Sequence, residues 1–170
     1  EEGRPHCRLT EEEMMEVIDH ALTNEYSIAW ASDVSEKGFS FRDGLALVPM
    51  DGAKIKKSGR DNKDFSDAGA AKESSVFDVP CEEKEITQEM RQLAFDNYET
   101  TDDHGMHMTG IVKDQTGKQY YIVKNSWGTK NNDCDGYFYA SEAFVEYKTM
   151  DIMLHKDAIP KSLRKKLGIK

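Results

Sequence analysis

Several things that would fix a fold or a chemistry outright are scarce or absent in this chain of 170 residues. There are three cysteines, Cys7, Cys81 and Cys134, widely spaced and with no Cys-x-x-Cys pair. That excludes a disulfide framework and a zinc-ribbon pattern. No apolar run approaches the roughly 20 residues that a membrane-spanning helix needs. No apolar core follows Glu1-Glu2-Gly3-Arg4-Pro5, so no secretory signal opens the sequence. A formal charge of −9 argues against general nucleic-acid binding. Basic residues dominate only from His155 onward, where six stand against one acidic residue. The remainder, 38% hydrophobic and 32% charged, suits one globular core.

Helical signals come first in the chain. Thr10-Glu11-Glu12-Glu13 is a capping box, with Thr10 as N-cap and Glu13 three positions on. Met14, Met15, Val17, Ile18, Ala21 and Leu22 recur behind it at helical spacing, which predicts an amphipathic helix to about Asn24. Ser27 to Ser32 reads as a buried strand. Phe39 to Pro49 holds short apolar pieces around Arg42-Asp43-Gly44, a strand or strand and turn. Residues 51–75 are polar, without a sustained period, and read as a long surface loop. Ile86 to Asn97 predicts a second helix, with Met90, Leu93, Ala94 and Phe95 facing the core. Later, Gly136 to Ala140 and Thr149 to Leu154 read as strands. A short helix capped by Ser141 lies between them, and a basic helix with Ile159, Leu163 and Leu167 on one stripe ends the chain.

The densest information lies between Asp103 and Tyr139. An apolar run from His104 to Val112, a polar Gly-containing turn, and a β-branched and aromatic run from Gln119 to Lys124 predict a β-hairpin. Such a hairpin sets His104, at the head of its first strand, beside Asn125, at the tail of its second. An imidazole fixed by a neutral amide is half of a nucleophilic catalytic apparatus. Trp127, two residues on, is placed to cover their hydrogen bond and keep water from it. His107 is an odd number of residues from His104 and should face the other way, which makes the two a poor metal pair. His20, near the end of the first helix, reads as a surface or helix-end residue.

Asp103-His104-Gly105-Met106, then Tyr121-Ile122-Val123-Lys124-Asn125-Ser126-Trp127-Gly128 and Gly136-Tyr137-Phe138, resemble the C-terminal half of a papain-like cysteine peptidase. The run from His104 to Gly110, the stretch Ala29-Trp30-Ala31-Ser32-Asp33-Val34 and the string Ser141-Glu142-Ala143-Phe144 are most similar to the bleomycin hydrolase/aminopeptidase C branch. The resemblance covers most of residues 10–155 and is densest from 95 to 147. It implies an α+β fold: an antiparallel, partly closed β-barrel with flanking helices. Residues 1–154 would form that portion, with 51–75 as a surface loop and 155–170 as a basic tail docked on an acidic body.

The resemblance further implies peptide hydrolysis by a Cys-His-Asn mechanism. His104 and Asn125 would be catalytic, with Ser126, Trp127 and Gly128 in support, and neither metal nor organic cofactor would be needed. The substrate would be a peptide. The family's nucleophile sits in a Cys-Gly-Ser/Ala-Cys-Trp/Tyr setting about 130–150 residues before the His and Asn. No cysteine here has that setting, and only 103 residues precede His104. The nucleophile and the glutamine of the oxyanion hole are therefore expected from an N-terminal half of the same protein, and the chain alone is expected to be inactive. Gly105 stands where Ala is usual, and the basic C-terminus differs from the apolar tail that enforces aminopeptidase action in this branch. A half-fold is expected to bare an apolar face, with the first helix and the Trp30 strand contributing, and to bind its other half or self-associate as a homo-oligomer. A cytoplasmic setting is expected, with an exported form left open if the true N-terminus is missing. A catalytically silent domain kept as a binding or structural module is the alternative.

Overall fold

In the computed structural model, residues 7–55 and 75–169 are described. Residues 56–74, which include most of the 51–75 loop, lie outside them. The capping box forms as the sequence predicts. Thr10 accepts from the Glu13 N–H and the Glu13 carboxylate accepts from the Thr10 N–H. Three acidic residues in the first turn complement the helix dipole, and α1 runs Glu11–Thr23.

The strands are β1 Ile28–Ser32, β2 Phe39–Ser40, β3 Leu45–Ala46, β4 His104–Lys113, β5 Gln119–Lys124, β6 Tyr137–Ser141 and β7 Thr149–Met153. They make one curled sheet in the order β2-β3-β6-β5-β4-β1-β7. All neighbouring pairs are antiparallel except β3 and β6, which run parallel. The expected antiparallel half-barrel with flanking helices is the observed architecture, apart from that one pair. Parallel neighbours need a long crossover, and here the chain between β3 and β6 includes helix α2 (Gln88–Asp96) and the whole β4–β5 hairpin.

One face of the sheet carries the core. Met106 and Met108 of β4, Tyr121 and Val123 of β5, and Phe138 of β6 are buried there against α1 and against α3 (Glu142–Lys148). Trp30 is 1% exposed, and its indole N–H donates to the Thr149 hydroxyl at 2.8 Å. The buried face of α1 and the Trp30 strand thus belong to this chain's own core, not to a bared surface as expected. Each side chain finds its partners within the 170 residues because the sheet curls around them.

Helix α2 also differs from its reading. Thr87 caps it, accepting from the Met90 N–H. Of the four residues expected to face the core, Ala94 is buried and Met90 packs partly against it. Leu93 and Phe95 are 63% and 55% exposed. The helix is held edgewise by a polar bond, the Arg91 guanidinium donating to the Glu146 and Thr149 carbonyls. An arginine in that position spaces the helix off the sheet, so its apolar stripe is not swallowed.

The basic C-terminal residues fold back. A 3-10 turn, Lys156–Ala158, and helix α4, Lys161–Leu167, follow β7. Ala158 and Leu163 are buried, the Ala158 carbonyl lies 2.8 Å from His20 Nδ1, and Lys166 pairs with Glu13 in the acidic first turn of α1.

Candidate active site

The site is set by a fault in the β4–β5 ladder. Lys113, Val112, Ile111 and Gly110 pair regularly with Gln119, Tyr120, Tyr121 and Ile122. Met108 then pairs with Val123 and His107 with Lys124, so Thr109 is an extra residue on β4. In a strand a one-residue slip moves every side chain to the other face. Before the bulge the even-numbered residues His104, Met106 and Met108 face inward, and after it Ile111 does. Continuing the register by one residue sets Asn125 opposite Met106, on the same face as His104. Were the ladder to run regularly through Thr109, His107 would stand opposite Asn125, and the His104 imidazole would be on the other side of the hairpin.

The contact is made. His104 Nε2 lies 2.8 Å from Asn125 Oδ1. The Ser126 backbone N–H also donates to Asn125 Oδ1, at 2.7 Å. A backbone N–H can only donate, so it fixes which end of the amide is oxygen. An oxygen that only accepts then requires the proton on His104 Nε2. Nδ1 is left as the basic nitrogen of the neutral ring, and no described residue hydrogen-bonds it. The pair is therefore oriented by backbone geometry, not by the imidazole's own preference. Asn125 is 3% exposed, and its backbone N–H donates to the Gly136 carbonyl at 3.0 Å.

Trp127 stacks on His104, with ring centroids 4.7 Å apart and planes 30° apart. Phe39 and Phe41 meet the indole edge-on at 6.0 and 5.2 Å. Edge-to-face packing at such separations is the favourable aromatic geometry. The turn that swings Trp127 into place depends on two glycines. Gly128 has φ +78°, and Gly136 has φ +81°. A Cβ on Gly136 would lie 2.8 Å from the Gly128 carbonyl oxygen. Only glycine meets both the backbone angle and the close approach.

Sequence reasoning placed His104, Asn125, Ser126, Trp127 and Gly128, and the structure brings all five together. It missed Phe39 and Phe41, which sit in the short β2 region, and Asn132. The Asn132 amide donates to the Phe41 and Tyr137 carbonyls and accepts from the Cys134 and Gly136 N–H groups. One buried amide thereby locks the 129–136 loop to the segment that grips Trp127. The available signal was Asn132 itself, a residue able to satisfy four backbone groups within a polar loop. His107 is exposed on the far face, as its spacing predicts.

The cysteines are poor thiolates where a shift is resolved. Burial first, then Asp133 and Asp135, push the Cys134 thiol up. Burial and Glu83 do the same to Cys81, against the opposing effect of Lys118. The Lys118 ammonium beside Cys81 is itself paired with Glu83 and does not overcome burial, so it does not activate that thiol. No group of three or more metal-binding side chains occurs among the described residues. A groove of about 300 Å³ lies on the outer face of the sheet between Tyr120, Tyr139 and the 76–81 segment, away from His104.

The model of the Peptidase C1-like family matches residues 41–169. The chain belongs to that family. No curated protein sequence matches it significantly. Among solved structures, PepW from Lactobacillus rhamnosis HN001 superposes with a TM-score of 0.60 over 94% of this chain, at 20% identity. At that identity the likeness is one of fold, and it agrees with a curled sheet forming part of a papain-like peptidase. This chain spans 30% of the PepW chain. No helix among the described residues is long and apolar enough to cross a membrane.

Proposed function

We propose that this chain supplies the histidine and asparagine of a cysteine peptidase of the bleomycin hydrolase/aminopeptidase C type, which hydrolyses peptide bonds by a Cys-His-Asn mechanism. The nucleophilic cysteine comes from an N-terminal half of the same protein. The observation that carries the reading is the His104–Asn125 contact, with the amide oxygen fixed by the Ser126 N–H.

Nδ1 takes the thiol proton, giving a thiolate and an imidazolium. The thiolate attacks the peptide carbonyl. As the tetrahedral intermediate collapses, Nδ1 returns the proton to the leaving amine, and water then releases the acyl group by the same route. A neutral amide suffices to orient the ring because the imidazolium is already balanced by the thiolate. Trp127 covers the ring and its bond to Asn125, and a hydrogen bond shielded from water holds its geometry more firmly.

The test is titration of the parent protein with a thiol-directed peptidase inhibitor. One upstream cysteine should be labelled stoichiometrically, and His104→Ala should slow labelling by about two orders of magnitude or more, the range of a lost general base. Labelling that His104→Ala leaves unchanged, or no labelling at all, would make the chain part of a catalytically silent module.

A further inference from the structure

Two buried charges outside the catalytic pair converge on the five residues that deliver His104. The first is Asp33, at the exit of β1 and 2% exposed. One of its oxygens accepts from the Ser35 N–H and hydroxyl, at 2.9 and 2.8 Å, and the other accepts from the Thr101 N–H at 3.0 Å. The second is Lys148, at the end of α3, whose side chain is 4% exposed. Its ammonium donates to the Thr100 hydroxyl at 2.9 Å and lies 3.5 Å from the Glu99 carbonyl. It also pairs with Glu36 at 2.5 Å and sits 4.3 Å from the centre of the Tyr147 ring.

Burying a lysine and an aspartate is costly unless each is fully partnered. The partners here are concentrated on one short stretch, 99–101, and on the β1 exit loop that lies against it. The Asp103 carboxylate closes the arrangement by accepting from the Val34 N–H at 3.0 Å. Ser32 pairs directly with His104 in the sheet, and the Ser32 hydroxyl and the Asp33 N–H both donate to the Lys148 carbonyl. On the α2 side the Thr100 N–H donates to the Ala94 carbonyl at 2.9 Å, but from there to β4 the segment relies on these side chains, and slack in it would pass straight to the head of β4. A displacement of about 1 Å at a catalytic group is enough to cost on the order of 10²-fold in rate.

We propose that Asp33 and Lys148 are positioning residues for His104, clamping the 99–103 segment so that the imidazole stays under Trp127 and on Asn125. This rests on the peptidase reading for its catalytic meaning, but the clamp itself is measurable without turnover.

The experiment is NMR of the 170-residue chain with labelled histidine. Trp127 stacked on His104 should displace the His104 ring protons upfield, with exposed His107 as the internal reference, and the Nε2 proton should exchange slowly. In Asp33→Asn one half of the carboxylate becomes a donor facing donors, and in Thr100→Val the Lys148 ammonium loses its hydroxyl partner. Both should collapse the upfield displacement toward the His107 value and speed Nε2–H exchange by about tenfold, the scale of one lost hydrogen bond. Lys148→Arg should keep more of the displacement than Lys148→Met. The control is Glu83→Gln, a buried carboxylate bonded to Val48 and Ser141 at the other end of the sheet. It should lower stability and leave His104 unmoved.

In the parent protein, Thr100→Val should lower kcat with KM unchanged. If Asp33→Asn does not fold, Thr100→Val decides alone. Stability lost with His104 signals unchanged would overturn the proposal and leave an ordinary structural network. A parent protein without peptidase activity, by contrast, would sink the catalytic reading while the NMR result still judged the clamp.

Discussion

Trp127 stacks on His104 with its plane tilted by 30°, while Phe39 and Phe41 meet the indole edge-on. The indole is nonetheless 45% exposed, because it caps the pair from outside instead of filling the core. Its position is thus maintained by three rings and the glycine turn, not by deep burial.

A truncation at Trp127 should therefore separate stability from orientation. Trp127→Ala is expected to cost about 1–2 kcal/mol, below the 3–5 of a fully buried Trp, since nearly half the ring already meets water. The His104 ring should lose its upfield displacement completely. Trp127→Phe should keep most of both. Urea denaturation and histidine NMR check the two effects independently, and a loss of stability equal to that of a core Trp would show that the indole is structural cement.

The bulge gives a second prediction. Thr109 is exposed, and its hydroxyl donates only to the Ile122 carbonyl at 3.2 Å. Thr109→Ala should cost a few tenths of a kcal/mol, as expected for a surface change. Deleting Thr109 closes the fault, because Met108–Val123 and Gly110–Ile122 become consecutive pairs and His104, Met106, Met108 and Ile111 all keep facing inward. The deletion variant should therefore keep its His104 signal. A signal that moves to the His107 value would show that the bulge itself, and not the pairing on either side of it, aims the imidazole.

The same bulge marks the boundary of what the sequence could tell. The hairpin and the proximity of His104 to Asn125 were legible from two apolar runs, a Gly-containing turn and the Asn125 to Gly128 string. The inserted residue was not, because register is a property of two strands together, and Thr109 alone carries no mark of it. Strands β2 and β3 are two residues each, too short for any period to show. The orientation of α2 depended on Arg91 reaching carbonyls 55 and 58 residues away. Nothing local marks Asp33 or Lys148 as buried, and only the fold reveals that their partners are interior. The Thr10 capping box, the Ser141 cap and the α1 stripe, by contrast, are local, and local signals survived.

Glu146 gives a pH dependence. Burial first, then Glu142 and Glu11, raise its carboxyl to about 7, with Arg91 opposing. A raised folded-state value means the folded chain holds this proton more tightly than the unfolded chain does. Its contribution is thus fully present below the unfolded carboxylate range and is lost as pH rises through about 7. Glu146→Gln should flatten the fall in urea midpoint between about pH 4.5 and pH 7 and make the chain relatively more stable at pH 8. An unchanged profile would show that Glu146 is solvated enough to titrate normally.

The remaining prediction concerns activity in the chain by itself. A cysteine peptidase needs a thiol whose proton His104 can take, and the thiols of Cys81 and Cys134 are pushed up by burial and by neighbouring carboxylates. Cys134 is further committed to packing: its sulfur fills the space where a Cβ on Gly44 would fall, at 2.5 Å. Cys7, the only other thiol, lies near the chain start, ahead of α1 and exposed. The purified 170-residue chain should therefore turn over no aminoacyl or peptidyl fluorogenic substrate. Addition of the parent's N-terminal half should restore turnover, and His104→Ala or Asn125→Ala should remove it again. If the isolated chain is active and Cys134→Ala or Cys81→Ala abolishes that activity, the nucleophile lies within these residues and the two-part site is wrong.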